Sequence, residues 1–275
     1  MTCAWKELLS ILPPGIAVQM TGEAKDRVQE IRLRLGHVPE LVCWPDSVWL
    51  KGLVSRDDLN FVVNTASRYS PWSAQTSARG YLPAPGGHRI GICGEVIVKN
   101  GHVSGIRSVS SLCIRVATDF PGIGYECRNL GGSVLIIGPP GSGKTTLLRD
   151  LIRQISVRET VGVVDERGEL FPAQFTYGTR LDVLRECPKE EGIEMILRTM
   201  GSTCIAVDEI TAEEDCNALI RAGWCGIRLL ATAHAGGVKD LLTRPLYRPI
   251  LESGLFDHVL VLRRDKTWRE ERLYG

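Results

Sequence analysis

The eight residues from Gly138 to Thr145 read Gly-Pro-Pro-Gly-Ser-Gly-Lys-Thr, which is a complete phosphate-binding loop. Such a loop requires a strand before it and a helix after it. The apolar run at 133–137 is typical of a buried strand, and 146–155 carries leucine and isoleucine at helical spacing. Glycines let the backbone wrap around an anion, so that amide N–H groups and the positive helix end face the phosphates. The pattern predicts that the chain binds a nucleoside triphosphate.

Each position of this loop has an expected role. Lys144 should reach the β- and γ-phosphates, and the Thr145 hydroxyl should bind Mg²⁺. A chance glycine-rich turn is the competing interpretation, but the complete motif and both correct flanks argue against it. ATP is the expected nucleotide, with GTP as the alternative, because no Asn/Thr-Lys-x-Asp motif that reads guanine is found. The predicted nucleotide-binding positions are Gly138, Pro139, Pro140, Gly141, Ser142, Gly143, Lys144, Thr145 and Thr146.

Acidic residues follow two predicted strands. Asp208 and Glu209 end the segment Cys204-Ile-Ala-Val-Asp-Glu209, where a doubly wound sheet places its ligand. Asp208 is expected to hold Mg²⁺, directly or through water, and Glu209 is the first candidate to polarise the attacking water. Asp165 and Glu166 end another strand and could line the same cleft. The sequence therefore leaves the catalytic base open between Glu209 and Glu166 or Asp165.

A third predicted strand ends in Thr232 and His234. A polar group at this position can sense whether a γ-phosphate is present and relay that state to a neighbouring surface. A single histidine after a strand is usually structural, but the place of His234 at a third strand tip favours a role in the site.

The elements that must position these residues form the second half of the chain. Strands are predicted at 133–137, 160–165, 203–208, 227–232 and 258–263, and helices lie between them, including 190–200 and 212–222. This alternation predicts an α/β fold with a mostly parallel, doubly wound sheet, here a RecA-like ATPase domain at 126–275.

The first half has a different pattern and is predicted to be a smaller α+β domain at 1–125. A strand is expected at 30–35 with a hairpin partner at 48–53, a helix at 57–69, and a loop at 80–87. Two further strand-rich segments, 88–98 and 102–116, are separated by the turn signal Lys99-Asn-Gly101.

Composition limits the functional classes. With 275 residues and a net charge of +1, the chain has no overall attraction for nucleic acid or anionic lipid. No apolar run approaches the ~18 residues that span a bilayer. The nine cysteines are scattered without zinc spacing. They are expected to be reduced and mostly buried, which favours a cytoplasmic location.

The four strand-end features together resemble the type II/type IV secretion ATPase superfamily, which carries a phosphate loop, an acidic box, a Walker B segment and a histidine box. One departure is that Asp208-Glu209 stands where those motors usually have Gly-Glu. A narrower resemblance, to the family of stage III sporulation AA proteins, covers nearly the whole chain. Its matching segments include Glu30-Ile-Arg-Leu-Arg34, Gly86-Gly-His-Arg-Ile-Gly91, Ile114-Arg115, Val164-Asp-Glu-Arg167, Cys187-Pro-Lys189, Val207-Asp-Glu-Ile210 and Ala231-Thr-Ala-His234.

The resemblance implies a cytoplasmic ATPase of endospore-forming bacteria that forms a hexameric ring. It would act on the mother-cell side of the forespore membrane, beneath membrane-embedded channel proteins, and would itself not span the membrane. In related motors, N-terminal arginines reach the nucleotide of a neighbour. Arg115 is the first candidate here, with Arg89 and Arg107 as alternatives, and surface arginines on a half-exposed sheet are the competing interpretation.

Two other functional classes share parts of this pattern. A RecA-like nucleic-acid motor has thin support, because the segment from Arg263 to Arg272 is the only basic-aromatic patch and is typical of a solvated hairpin. A nucleotide-gated scaffold with little turnover would keep the same loop. No nucleic-acid partner is expected.

Overall fold

The computed structural model describes residues 2–43, 46–67, 80–172 and 175–273. The chain divides into two compact units, Met1–Asp119 and Phe120–Gly275. The division falls before the predicted boundary at 125/126. The reason is local: the Gly124 N–H donates to Asp150 Oδ2 at 2.7 Å, which fastens the segment before residue 126 to a helix of the second unit.

The first unit contains a mixed set of helices and strands around one apolar cluster. Its described strands are β1 (Thr2–Cys3), β2 (Val28–Arg34), β3 (Glu40–Cys43), β4 (Val48–Trp49), β5 (Tyr81–Pro83), β6 (Arg89–Lys99), β7 (His102–Arg115) and β8 (Thr118–Asp119). Its described helices are α1 (Trp5–Ile11), α2 (Pro14–Ala17), α3 (Gly22–Arg27) and α4 (Arg56–Ser67). The main sheet has the antiparallel order β4-β3-β2-β7-β6-β5, and β1 pairs with β8.

Several local predictions for this unit are confirmed and others are wrong. The β6–β7 hairpin and α4 are present, although residues 68–69 of the predicted helix lie outside the described residues. The segment 48–53 is not the hairpin partner of β2, because β3 intervenes and only Val48–Trp49 pairs, with β3. The predicted loop at 80–87 includes edge strand β5, where a proline is tolerated because the outer side of an edge strand needs no ladder bond.

The described part of the second unit is built on a sheet of order β11-β10-β12-β13-β9-β14-β15, in which the β14–β15 pair is antiparallel and the other neighbouring strands are parallel. The strands are β9 (Val134–Gly138), β10 (Val161–Asp165), β11 (Leu181–Arg185), β12 (Cys204–Val207), β13 (Arg228–His234), β14 (His258–Leu262) and β15 (Trp268–Glu271). The helices are α5 (Lys144–Ile155), α6 (Lys189–Thr199), α7 (Glu213–Trp224), α8 (Val238–Thr243) and α9 (Arg248–Glu252). The predicted α/β class with a mostly parallel sheet is confirmed.

Alternating side chains of β9 explain why both faces of this sheet are covered. Leu135 and Ile137 join a cluster with α6 and α7, whereas Val134 and Ile136 join one with α5. Because β9, β13, β12 and β10 are parallel neighbours, their carboxyl ends meet at one edge of the sheet. Within the described residues, no helix combines the length and apolar character needed to cross a membrane.

Candidate functional site

The phosphate loop joins β9 to α5, and its glycines are required by geometry. Gly141 and Gly143 adopt φ of 72° and 99°, a region that side chains disfavour. A Cβ on Gly138 would lie 2.7 Å from Ser142 Oγ and 2.8 Å from the Leu262 carbonyl oxygen. The loop can therefore fold this tightly only with glycine at these positions.

Lys144 is folded back onto the loop it belongs to. Its Nζ donates to the carbonyl oxygens of Gly138 at 3.0 Å and Pro139 at 3.2 Å, and lies 3.0 Å from His234 Nδ1. Burial lowers the pKa of Lys144, while the carboxylates of Asp208 and Glu209 oppose that shift. The neutral carbonyl oxygens are weaker hydrogen-bond acceptors for Lys144 than charged phosphate oxygens, so a bound triphosphate can displace them.

Asp208 is held by two threonine hydroxyls. Thr145 Oγ1 donates to Asp208 Oδ2 at 2.7 Å, and Thr232 Oγ1 donates to Asp208 Oδ1 at 2.6 Å. The Thr232 oxygen also accepts the Glu209 N–H at 2.8 Å. Burial raises the pKa of Asp208, and the hydroxyl contacts partly counteract it. One buried hydroxyl, that of Thr232, therefore fixes both acidic residues at the end of β12.

Both oxygens of the Glu209 carboxylate have partners. His234 Nε2 contacts Oε1, and Arg167 Nη1 donates to Oε2 at 2.5 Å. Because Lys144 donates to Nδ1 of His234, the imidazole proton belongs on Nε2, from which it is donated to Glu209. Glu209 adopts a φ of 55°, which is uncommon for a residue with a side chain.

Asp165 and Glu166 make different contacts from Glu209. The Asp165 carboxylate accepts three backbone N–H groups of the following loop, at 2.9 to 3.0 Å, and burial raises its pKa. Glu166 pairs with the buried Lys189, whose Nζ also lies 3.4 Å from Asp215 Oδ2. The structure thus brings Lys144, Thr145, Asp208, Glu209 and His234 together, while Asp165 and Glu166 bind the loop after β10 and the start of α6.

The three arginines considered for action on a neighbouring copy lie in the first unit. Arg115 is exposed, with its Nε 3.9 Å from Glu30 Oε1. The Arg107 guanidinium lies 3.0 Å from Glu95 Oε2, and Arg89 stacks 4.1 Å from the centre of the Tyr81 ring.

Two basic residues near the loop were not singled out from the sequence. Arg167 belongs to the segment Val164-Asp-Glu-Arg167, and its pairing with Glu209 depends on how two loops approach each other. Lys266 lies at the tip of the β14–β15 hairpin, within the segment interpreted as solvated. Its Nζ contacts the Gly141 carbonyl oxygen, and its Cδ lies 3.8 Å from where a Cβ on Gly143 would be. Only the adjacency of β14 to β9 could have indicated this contact.

The residues present fit a magnesium triphosphate. Ser142 Oγ is buried in the loop without a hydrogen-bond partner, as expected of a group whose partner is a ligand. Thr145 and Asp208 supply oxygen ligands of the kind that Mg²⁺ prefers, with phosphate and water oxygens completing its shell. The described residues contain no group of three or more His, Cys, Asp or Glu that could hold a metal alone.

Comparison with known proteins gives one family and one fold. The model of the family described as "Sporulation stage III, protein AA" matches residues 6–272. Stage III sporulation protein AA of Bacillus subtilis (strain 168) is 37% identical over 280 aligned positions, which cover 94% of this chain and 91% of that protein.

Two solved structures share the fold at low sequence identity. The ATPase DotB of Legionella pneumophila superposes with a TM-score of 0.63 at 18% identity, covering 94% of this chain and 79% of that one. The pilus retraction motor PilT, solved with bound ADP, gives a TM-score of 0.58 at 16% identity, covering 91% and 78%.

Proposed function

The chain belongs to the sporulation stage III protein AA family, and on that basis we propose that it is a RecA-like ATPase that hydrolyses magnesium ATP. One observation carries the proposal: a complete phosphate loop lies beside two neighbouring strand ends that bring Asp208, Glu209 and His234 to Lys144 and Thr145. The fold shared with DotB and PilT, described as an ATPase and a motor with bound ADP, supports it.

Binding uses the loop and its lysine. The backbone amides of the loop and the start of α5 would surround the phosphates, and Lys144 would exchange its carbonyl contacts for the β- and γ-phosphate oxygens. Ser142 would donate its unpartnered hydroxyl to the bound anion. Thr145 and Asp208 would hold Mg²⁺, which neutralises charge on the bridging phosphate oxygens when bound.

Glu209 is the residue we assign to activate water. It lies at the end of the strand next to β13, and its carboxylate already contacts His234, which in turn contacts the lysine of the loop. His234 would report the γ-phosphate through this contact. Glu166 is the second candidate for the base, but its carboxylate pairs with Lys189 at the start of α6, whereas Glu209 contacts the histidine beside the loop lysine.

Assembly and location are proposed from the family. We expect a homo-oligomeric ring, a hexamer as in the secretion motors, in which Arg115 of one copy reaches the nucleotide of the next. The ring would lie on the cytoplasmic, mother-cell side of the forespore membrane and would drive or gate membrane-embedded sporulation channel proteins. The name of the Bacillus subtilis relative supports the sporulation role.

Steady-state phosphate release, measured with magnesium ATP, tests the activity and the choice of base. Glu209→Gln should lower kcat by about a hundredfold or more, a loss typical of removing a positioned base. Glu166→Gln should retain most activity, and so should Glu194→Gln, the matched control on the surface of α6. Equal, negligible turnover of wild type and Glu209→Gln in the assembled state would instead indicate a nucleotide-gated scaffold.

A further inference from the structure

Arg167 is a cation at the site that no expected role uses. Its guanidinium donates to Glu209 Oε2 at 2.5 Å, and its side chain is 46% exposed, against 22% for Glu209. The pair therefore lies at the solvent edge of the cleft, where the arginine can leave without a buried charge being stranded.

The backbone that carries Arg167 is fixed on both sides. Before it, Glu166 is anchored to Lys189, which is only 5% exposed. Around it, Asp165 accepts the N–H groups of Glu169, Leu170 and Phe171, so that the loop closes on the end of β10. A guanidinium on a fixed backbone can change partners by rotation of its side chain alone.

The contacts also show what the Arg167 pair does to Glu209. Lys144, His234, Glu209 and Arg167 form a continuous chain of contacts, in which both carboxylate oxygens accept charge-assisted or imidazole hydrogen bonds. A carboxylate held in this way is a poorer acceptor for a water proton, because two of its four lone-pair sites are taken and the donated bonds withdraw its negative charge.

We propose that Arg167 exchanges Glu209 for the γ-phosphate when a triphosphate binds. The inference rests on the proposed function. A γ-phosphate is a doubly charged competitor, and two of its oxygens match the bidentate fork of a guanidinium. ADP has no such group, so Arg167 stays on Glu209 and the base remains occupied. The exchange frees one Glu209 oxygen only when there is a γ-phosphate to hydrolyse, and it makes the site distinguish ATP from ADP.

Calorimetry with a non-hydrolysable ATP analogue and with ADP, both with Mg²⁺, tests the exchange. Arg167→Ala should weaken analogue binding about tenfold, because one half-exposed charge-assisted contact is lost, while ADP affinity changes less than about twofold. Arg167→Lys should recover part of the loss. Arg198→Ala, which removes an exposed arginine paired with Glu194 on α6, is the matched control and should change neither affinity. Equal losses for both nucleotides, or no loss, would overturn the exchange.

A second measurement separates exchange from a merely structural role. Glu209→Gln removes the negative charge that competes with the γ-phosphate for Arg167, so it should raise the affinity for the ATP analogue. The increase in affinity should be at least threefold larger with Arg167 present than in the R167A background. An equal rise in both backgrounds would show that the arginine does not move between the two partners. If wild type binds neither nucleotide, the proposed function fails first, and the two failures are thereby distinguished.

Discussion

Thr232→Val is the most informative single change at the candidate site, since it keeps the side-chain shape and removes one hydroxyl. That hydroxyl is fully buried, donates to Asp208 Oδ1 at 2.6 Å and accepts the Glu209 N–H at 2.8 Å. Valine would leave a carboxylate oxygen and an amide unpaired at the end of β12.

The expected loss in the free energy of unfolding follows from these two lost hydrogen bonds. A hydrogen bond to a charged group contributes about 1.5–3 kcal/mol, and an unsatisfied buried amide costs about 1–3 kcal/mol. Taking the lower part of both ranges gives about 3 kcal/mol of lost stability for the second unit. With an m-value of about 2 kcal/mol/M, the urea midpoint should fall by ~1.5 M.

Urea unfolding followed by intrinsic fluorescence, together with phosphate release, measures both consequences. Activity should fall more than about tenfold, because Asp208 and Glu209 lose their shared anchor. Thr232→Ser keeps the hydroxyl and should retain most of the stability and activity. Thr243→Val, which removes an exposed hydroxyl bonded to the Asp240 carbonyl, should change stability by less than about 0.5 kcal/mol. A Thr232→Val protein with wild-type stability and turnover would refute the assigned role of this hydroxyl.

Three further changes test other contacts of the second unit. Asp208→Asn should stabilise the nucleotide-free protein at neutral pH, because burial raises the folded-state pKa of Asp208. The wild type therefore loses stability as pH rises from about 4 through that raised pKa. Thermal unfolding at several pH values should show that the stability gain of the variant vanishes at the acidic end. Lys189→Met should cost about 2 kcal/mol in urea unfolding, since it removes the cation beside the buried Asp215 and frees the half-exposed Glu166. An unchanged midpoint would contradict the anchoring of the loop after β10. Lys266→Ala should weaken nucleotide binding severalfold in calorimetry because it releases the phosphate loop from the β14–β15 hairpin, and equal affinity would show that the contact has no role.

The sequence predicted the parallel strands well because fully buried strands read as continuous apolar runs, as in β9, β10 and β12. It missed β11, whose partly exposed residues follow no clear apolar pattern at the edge of the sheet. The hairpin interpreted for 263–272 is present as the β14–β15 pair, with an exposed turn. The hairpin assigned to 48–53 was wrong for a similar reason, since the short strand β3 lies between two prolines and carries little local signal.

At the candidate site, the sequence indicated which strand ends carry polar residues, but not which of them touch. The contact between His234 and Lys144 follows from β13 lying directly beside β9, a neighbour relation that no local pattern encodes. The different surroundings of Glu209 and Glu166 likewise depend on Lys189, which reaches Glu166 from the start of α6. Long-range pairing, rather than local propensity, separates the two candidate bases.

The central claim is that the phosphate loop binds magnesium triphosphate, and calorimetry of Lys144→Ala tests it most directly. Wild type should bind a non-hydrolysable ATP analogue in the presence of Mg²⁺. The variant should bind it about a hundredfold more weakly, because the cation proposed to reach both phosphates, Lys144, is lost. Undiminished affinity of the Lys144→Ala protein would contradict the account.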